Sequence, residues 1–253
     1  MQFNSSIFNT DVTPIPERTG EINKKHIKQK LEELGVNLSD ISLGDFDSIG
    51  EFTAKKQRSR DSDLYKSVGA FFRPNYERGI LIYTLIKKHK LESFLEIGFG
   101  RGYGCFCAAL AFHELGRGKI VSVDPALDEN YLNQLATVFP KDWFDLVQFK
   151  KYTSDDYFSE SNENFDLIYL DGDHRYEFVK RDWENSKDRF NKFLLFDDYH
   201  LPSKVQKDID VSNLVDSIDD KSKELIIMDR RIFFDDRQIA DNDIDYGQVL
   251  LSK

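Results

Sequence analysis

The sequence predicts an α/β fold: a doubly wound, mostly parallel seven-stranded sheet with helices on both faces and an N-terminal helical extension. Three observations predict it. Five short apolar runs alternate with helical stretches between residues 93 and 196, four of the runs lead directly into Gly or Asp and the third leads on to Ser154, and the first opens onto a turn with glycines at 98, 100, 102 and 104. Alternation of this kind implies parallel strands joined by helical crossovers, hence a sheet covered on both faces.

Taken in order, residues 1–20 carry Ser, Thr, Asn and two prolines without periodicity and read as an arm or ordered loop. Ile22, Ile27, Leu31 and Leu34 then fall at helical spacings and stop at Gly35, a natural C-cap, which predicts a short amphipathic helix. The stretch 39–73 is mixed and polar, and 76–90 is helical, with Ile80, Leu81, Tyr83, Leu85 and Ile86 supplying the apolar residues. Strands are expected at 93–97, 119–123, 146–149, 165–170 and 192–196, with helices between them at 104–115, 129–138, 155–158 and 176–190. After Asp198 a polar helical stretch precedes 225–229, 231–236 and 248–253, where two or three closing strands fit. The boundaries implied are an extension over 1–70, available for substrate or homo-oligomer contacts, and one domain over 71–253.

The composition narrows the partners. A hydrophobic fraction of 40%, with 21 Phe and 11 Tyr, is enough to build a core in a chain of 253 residues. A formal charge of −10 opposes the positive field that binding to a phosphate backbone needs, so nucleic acid is disfavoured. The basic runs at 24–30 and 55–60 read as solvated surface. Cys105 and Cys107, two apart at a helix start, point in different directions and read as small buried side chains, not as a disulfide or a shared metal site. No run of eighteen apolar residues appears and the N-terminus lacks a signal-peptide pattern, so the expected location is cytoplasmic, with no membrane partner.

The segment FLEIGFGRGYG, residues 94–104, runs off the first strand into a helix. Such a turn lets a ligand approach the backbone closely. The dinucleotide pattern G-x-G-x-x-G/A fails, because its third position is Tyr103 counted from Gly98 and Cys105 counted from Gly100. What the turn matches is E-x-G-x-G-x-G, and here Glu96, Gly98, Gly100 and Gly102 resemble motif I of the class I S-adenosylmethionine-dependent methyltransferases. The resemblance implies a Rossmann-like sheet and a loop, Phe99 and Tyr103 included, wrapped around the methionine part of S-adenosyl-L-methionine. Asp124 ends the second predicted strand, ahead of Pro125, where a carboxylate can accept hydrogen bonds from both ribose hydroxyls. After the third strand the same resemblance sets a contact to the adenine ring near Ser154 and Asp155; a helix N-cap explains that pair as well.

The most specific run is FDLIYLDGDHRYEFVKRDW, after which the fifth strand ends in LLFDDYH. The first resembles the D-G-D-H-x-Y-E signature of a methyltransferase subgroup that includes small-molecule and sugar O-methyltransferases, and the second resembles the D-D-Y/H element of its metal-dependent members. In a doubly wound sheet these two strand ends converge beside the first, so Asp171, Asp173, Asp197 and Asp198 would crowd into one cleft. Clustered carboxylates repel unless protonated or bridged by a cation, and an oxygen ligand set suits Mg²⁺. By the family pattern Asp171, Asp197 and Asp198 would hold the metal, Asp171 also bordering the cofactor. Asp173 would be the general base, with His174 and His200 as alternative bases or substrate contacts. The acceptor expected from the resemblance is a sugar or other small molecule. The competing readings are metal-independent transfer with a His base, an NAD-type oxidoreductase, and a non-catalytic Rossmann-like binding protein.

Overall fold

A computed structural model describes residues 22–36, 76–200, 210–227 and 246–253. The expected arm at 1–20, the basic run at 55–60 and the closing strand at 231–236 lie outside the described residues, as does the side chain of His200.

The elements follow the chain as β1 (Asn23–His26), α1 (Ile27–Glu33), α2 (Tyr76–His89), β2 (Ser93–Ile97), α3 (Tyr103–Leu115), β3 (Lys119–Val123), α4 (Glu129–Ala136), α5 (Lys141–Phe144), β4 (Val147–Lys150), α6 (Ser154–Glu160), β5 (Phe165–Leu170), α7 (Tyr176–Ser186), β6 (Phe190–His200), α8 (Val211–Ser217), β7 (Glu224–Ile227) and β8 (Tyr246–Ser252). The strands form one 8-stranded sheet in the order β1-β7-β8-β6-β5-β2-β3-β4. Every described pairing is parallel except those of β8, which runs antiparallel to both β6 and β7. The Rossmann-like, mostly parallel sheet expected from the sequence is therefore present, with a short strand added at its edge.

That strand, β1, has the polar sequence NKKH and no strand pattern of its own. It is recruited by tertiary contacts: it pairs with β7, and Lys25 and Lys30 both reach the largely buried carboxylate of Glu224, Lys25 at 2.6 Å. The basic run at 24–30 is thus not wholly a solvated face, because two of its lysines neutralise a carboxylate at the sheet edge. Burial pushes the Glu224 carboxyl up, but Lys25 and Lys30 outweigh it and hold the group below its usual range. Helix α1 ends as its sequence says, at Gly35 with φ +71. The Gly35 N–H bonds the Glu32 carbonyl and the Val36 N–H the Leu31 carbonyl, a Schellman cap.

Side chains alternate across each strand, so the sheet carries an apolar layer on each face. One layer takes Leu31, Ile80, Leu85, Phe106, Phe112, Leu135 and Trp143 from α1 to α5. The other takes Tyr157, Val179, Leu214 and Val215 from α6 to α8. Cys105 and Cys107 are fully buried free thiols in the first layer, as their spacing suggested, and burial, then the nearby Glu96, pushes the Cys105 thiol well up. No helix among the described residues is long and apolar enough to cross a membrane.

If β1 is held by charge, Glu224→Ala, which leaves two lysines without their partner, should cost on the order of 2 kcal/mol. Hydrogen exchange should quicken in residues 23–33 ahead of the sheet centre. Uniform loss of protection instead would show that β1 is held by packing.

Candidate active site

The sheet reverses its winding between β2 and β5, which lie side by side with Ile97 opposite Leu170. Ligands of doubly wound sheets bind outside the carboxyl ends of the strands at such a reversal. Here the glycine turn leaves β2 and the 171–175 loop leaves β5. The two loops touch: a Cβ on Gly98, whose φ is +95, would lie 2.2 Å from the Asp171 carbonyl oxygen and 2.6 Å from the Gly172 Cα. Only glycine fits that place, on grounds of both space and backbone conformation.

Asp124 ends β3 and turns back over the glycine turn. One carboxylate oxygen accepts the Gly100 N–H at 3.0 Å and the other the Ala126 N–H at 2.7 Å. An ionised carboxylate offers about four acceptor positions, so capacity remains for a diol. Pro125 stands exposed beside it. The far side of the turn is pinned by the Tyr131 hydroxyl, which donates to the Arg101 carbonyl at 2.9 Å. The ring of Phe99 is buried between Tyr131 and Phe149, so the turn presents the backbone of this residue and not its side chain. The phenol of Tyr103 leans on Gly79 of α2.

Glu96 is 1% exposed and accepts from the Ser122 hydroxyl at 2.6 Å. It begins a row of buried polar groups on the sheet face covered by α2 and α3: Ser122 on β3, Glu96 on β2, Tyr169 on β5, Asp197 on β6 and Gln248 on β8. Gln248 donates to Asp197 at 3.0 Å and to the Tyr169 hydroxyl at 3.5 Å, and Tyr169 donates to Asp171 at 3.3 Å.

Asp171, His174 and Asp198 are gathered at the mouth of the cleft, with one ligand atom from each lying within 4.8 Å of the others. His174 Nε2 lies 3.0 Å from Asp198 Oδ2. Asp198 has φ +51 at a bulge where the β6–β8 register shifts between Phe196 and Tyr199, and this turns its carboxylate toward His174. Helix α8 braces both loops: the Asp210 N–H bonds the His174 carbonyl at 2.8 Å, and Asp216 accepts from the buried Tyr199 hydroxyl at 2.8 Å.

The ligand set expected from the sequence, Asp171, Asp197 and Asp198, is thus only partly assembled. Period-two alternation sends Asp197 with Leu195 to the inner face, where it is 1% exposed and bonded to Gln248, and His174 occupies the third corner. Asp173 bonds the Arg175 guanidinium at 2.9 and 3.1 Å, and that side chain holds its carboxyl below the usual range. His200 pairs through its backbone with Tyr246.

After β4 the N-cap of α6 is Thr153, in a capping box with Asp156. Ser154 instead donates its hydroxyl to Asp182 at 2.5 Å, and Asp155 takes Asn185 at 2.7 Å and Arg181 at 3.2 Å. Asp182 is 8% exposed, and burial raises its carboxyl to about 6 against the pull of Ser154 and Arg181.

With this geometry established, residues 95–199 match a family model described as a methyltransferase domain. No curated protein matches the chain in sequence. Its fold is similar to that of the SAH-bound methyltransferase PaMTH1 of Podospora anserina, with 14% identity over 95% of this chain and 98% of that one and a TM-score of 0.52. It is likewise similar to the O-methyltransferase from Bacillus cereus in complex with SAH, with 12% identity over 89% and 96% of the two chains and a TM-score of 0.51. Cofactor-bound Rv0187 from MTB shares 11% identity over 90% and 97%, with a TM-score of 0.56.

Two residues that border this cleft escaped the sequence reading. Gln248 is one polar residue in an otherwise apolar closing strand. Asp182 sits three residues after Val179, on the stripe of α7 that faces the sheet, and a carboxylate on such a stripe was the available signal.

The raised Asp182 carboxyl fixes a sign. Between its ordinary value of 3.8 and about 6 the folded chain holds a proton that the unfolded chain releases, so this group favours folding as pH falls and opposes it above 6. Asp182→Asn should therefore gain on the order of 3 kcal/mol over the wild type at pH 8 and little at pH 4. Urea unfolding at both pH values checks this; an equal difference at both would contradict it.

Proposed function

We propose that this protein is a methyltransferase that carries the methyl group of S-adenosylmethionine to a hydroxyl of a small molecule, with a divalent cation bound by Asp171, His174 and Asp198. The observation that carries the reading is the meeting of two loops at the sheet's reversal. A glycine turn roofed by a strand-end carboxylate suits a nucleoside, and it touches a loop bearing two carboxylates and an imidazole. The likeness in fold to an O-methyltransferase and to SAH-bound methyltransferases supports the methyl-transfer reading.

The turn 98–102 and Asp124 hold the methionine and ribose parts, the free acceptor positions of Asp124 taking the diol. Ser154 and Asp155 border the adenine end. Two carboxylates and one imidazole make a mixed oxygen and nitrogen donor set, which suits a divalent transition ion such as Mn²⁺ better than it suits Mg²⁺, for which an all-oxygen set is expected. When bound, the ion supplies a positive charge that lowers the pKa of the acceptor hydroxyl. The chain's own residues would orient the acceptor oxygen in line with the methyl group, and Asp173 would take the hydroxyl proton as the methyl passes to oxygen and the cofactor departs as its neutral thioether. Residues 1–70 are assigned to the acceptor pocket or to contacts between copies of the chain, and a sugar is the preferred acceptor class.

One observation favours a second reading. With Nε2 at 3.0 Å from Asp198, His174 is oriented as a carboxylate-bound imidazole is in a proton-transfer pair, so it could act as base with no cation.

Mn²⁺ titration of chelator-treated protein, followed by electron paramagnetic resonance, separates the two. The metal reading expects one bound ion, lost in Asp198→Ala and kept in Asp197→Asn, and label transfer from S-adenosylmethionine to a panel of hydroxyl acceptors only when the ion is present. Transfer without metal, abolished by His174→Ala, would establish the second reading instead.

A further inference from the structure

Asp182 is a costly group in a place where an apolar side chain would serve packing better. It lies on the inward stripe of α7 between Val179 and Ser186, and Ser154 is the donor to it. Buried carboxylates are commonly replaced by apolar side chains of similar volume with no loss of stability. Its retention here is explained by what it touches. On one side it takes the hydroxyl of Ser154, the first residue of α6, whose neighbour Asp155 is tied to the same helix by Arg181 and Asn185. On the other side its Oδ2 lies 3.0 Å from where a Cβ on Gly172 would stand. Gly172 is in turn the residue whose Cα closes on Gly98. A continuous path of contacts therefore runs from the turn 153–155 through Asp182 to Gly172 and on to the glycine turn, joining the three loops that border the cleft.

We propose that Asp182 is a positioning residue for methyl transfer: its carboxylate sets the turn 153–155 and the 171–174 loop at a fixed separation, so that a bound nucleoside spans both. The proposal rests on the methyltransferase reading above. Asp182 makes no contact with the cofactor itself; it acts through Ser154 on one side and Gly172 on the other. A side chain that only fills the interior would be replaceable by leucine without consequence for the ligand, whereas a positioning group is replaceable only by one that still accepts from Ser154 and keeps the planar shape beneath Gly172. Asparagine meets both conditions and leucine neither.

The test compares Asp182→Leu, Asp182→Asn and Ser154→Ala with the wild type, by thermal melting at pH 8 and by calorimetric titration with S-adenosylhomocysteine. The proposal expects Asp182→Leu to melt no lower than the wild type yet to bind about tenfold more weakly or worse, and Asp182→Asn to return the affinity to within about threefold. Ser154→Ala should weaken binding about fivefold with its melting unchanged, and it carries the test should the leucine variant fail to fold. A folded Asp182→Leu, or failing that Ser154→Ala, with wild-type affinity overturns the proposal. Wild-type protein that binds no S-adenosylhomocysteine would overturn the methyl-transfer reading itself, and this proposal with it.

Discussion

The site depends on a side chain that is absent. Gly98 lets the turn after β2 close to within contact of the Asp171 carbonyl, and any Cβ there would force apart the two loops that leave the neighbouring strands. Because β2 and β5 are in register at Ile97 and Leu170, the loops start at the same height. Their separation is then fixed by backbone packing and not by side chains. The glycine turn, Asp124 above it and the Asp171–His174 segment beside it form one continuous rim as a consequence.

Beneath that rim the sheet is unusually polar. Ser122, Glu96, Tyr169, Asp197 and Gln248 occupy five adjacent strands on one face, all close to the carboxyl ends of the parallel strands. Buried polar groups of this kind are tolerated when they bond one another, and the bonds specify a single arrangement in return. The row reaches the cleft through Tyr169, whose hydroxyl holds Asp171. On the opposite face α8 performs the matching task, bonding the His174 backbone at one end and Tyr199 at the other. Asp198, in a left-handed conformation that a non-glycine residue adopts at a cost, is kept there by these supports.

Much of this was legible in the sequence because it rests on local rules. The five strands carry their apolar runs, Gly35 caps its helix, and the glycine turn departs from the dinucleotide spacing at its third position. The motif residues of the second constellation were found, but not their partition. The sequence shows two adjacent aspartates, 197 and 198, and cannot show that a bulge puts one inside the sheet and leaves the other at the cleft. His174 enters the cluster for the same reason. Strand β1 has no pattern of its own and pairs with β7, where Lys25 and Lys30 meet Glu224 from a remote part of the chain. Asp182 and Gln248 each violate a local rule, a carboxylate on an apolar stripe and an amide in an apolar strand. Both violations lie next to the cleft, Asp182 bonded to Ser154 and Gln248 to Asp197 and Tyr169, and breaks of local rules are expected at functional sites.

The claim that the glycine turn and Asp124 form a nucleoside site is tested most directly by calorimetric titration of the wild type and Asp124→Ala with S-adenosylhomocysteine. The account predicts binding in the micromolar range for the wild type, a loss of about a hundredfold in the variant, and an unchanged melting temperature. Equal affinity in the two proteins, or no heat from either, would contradict it.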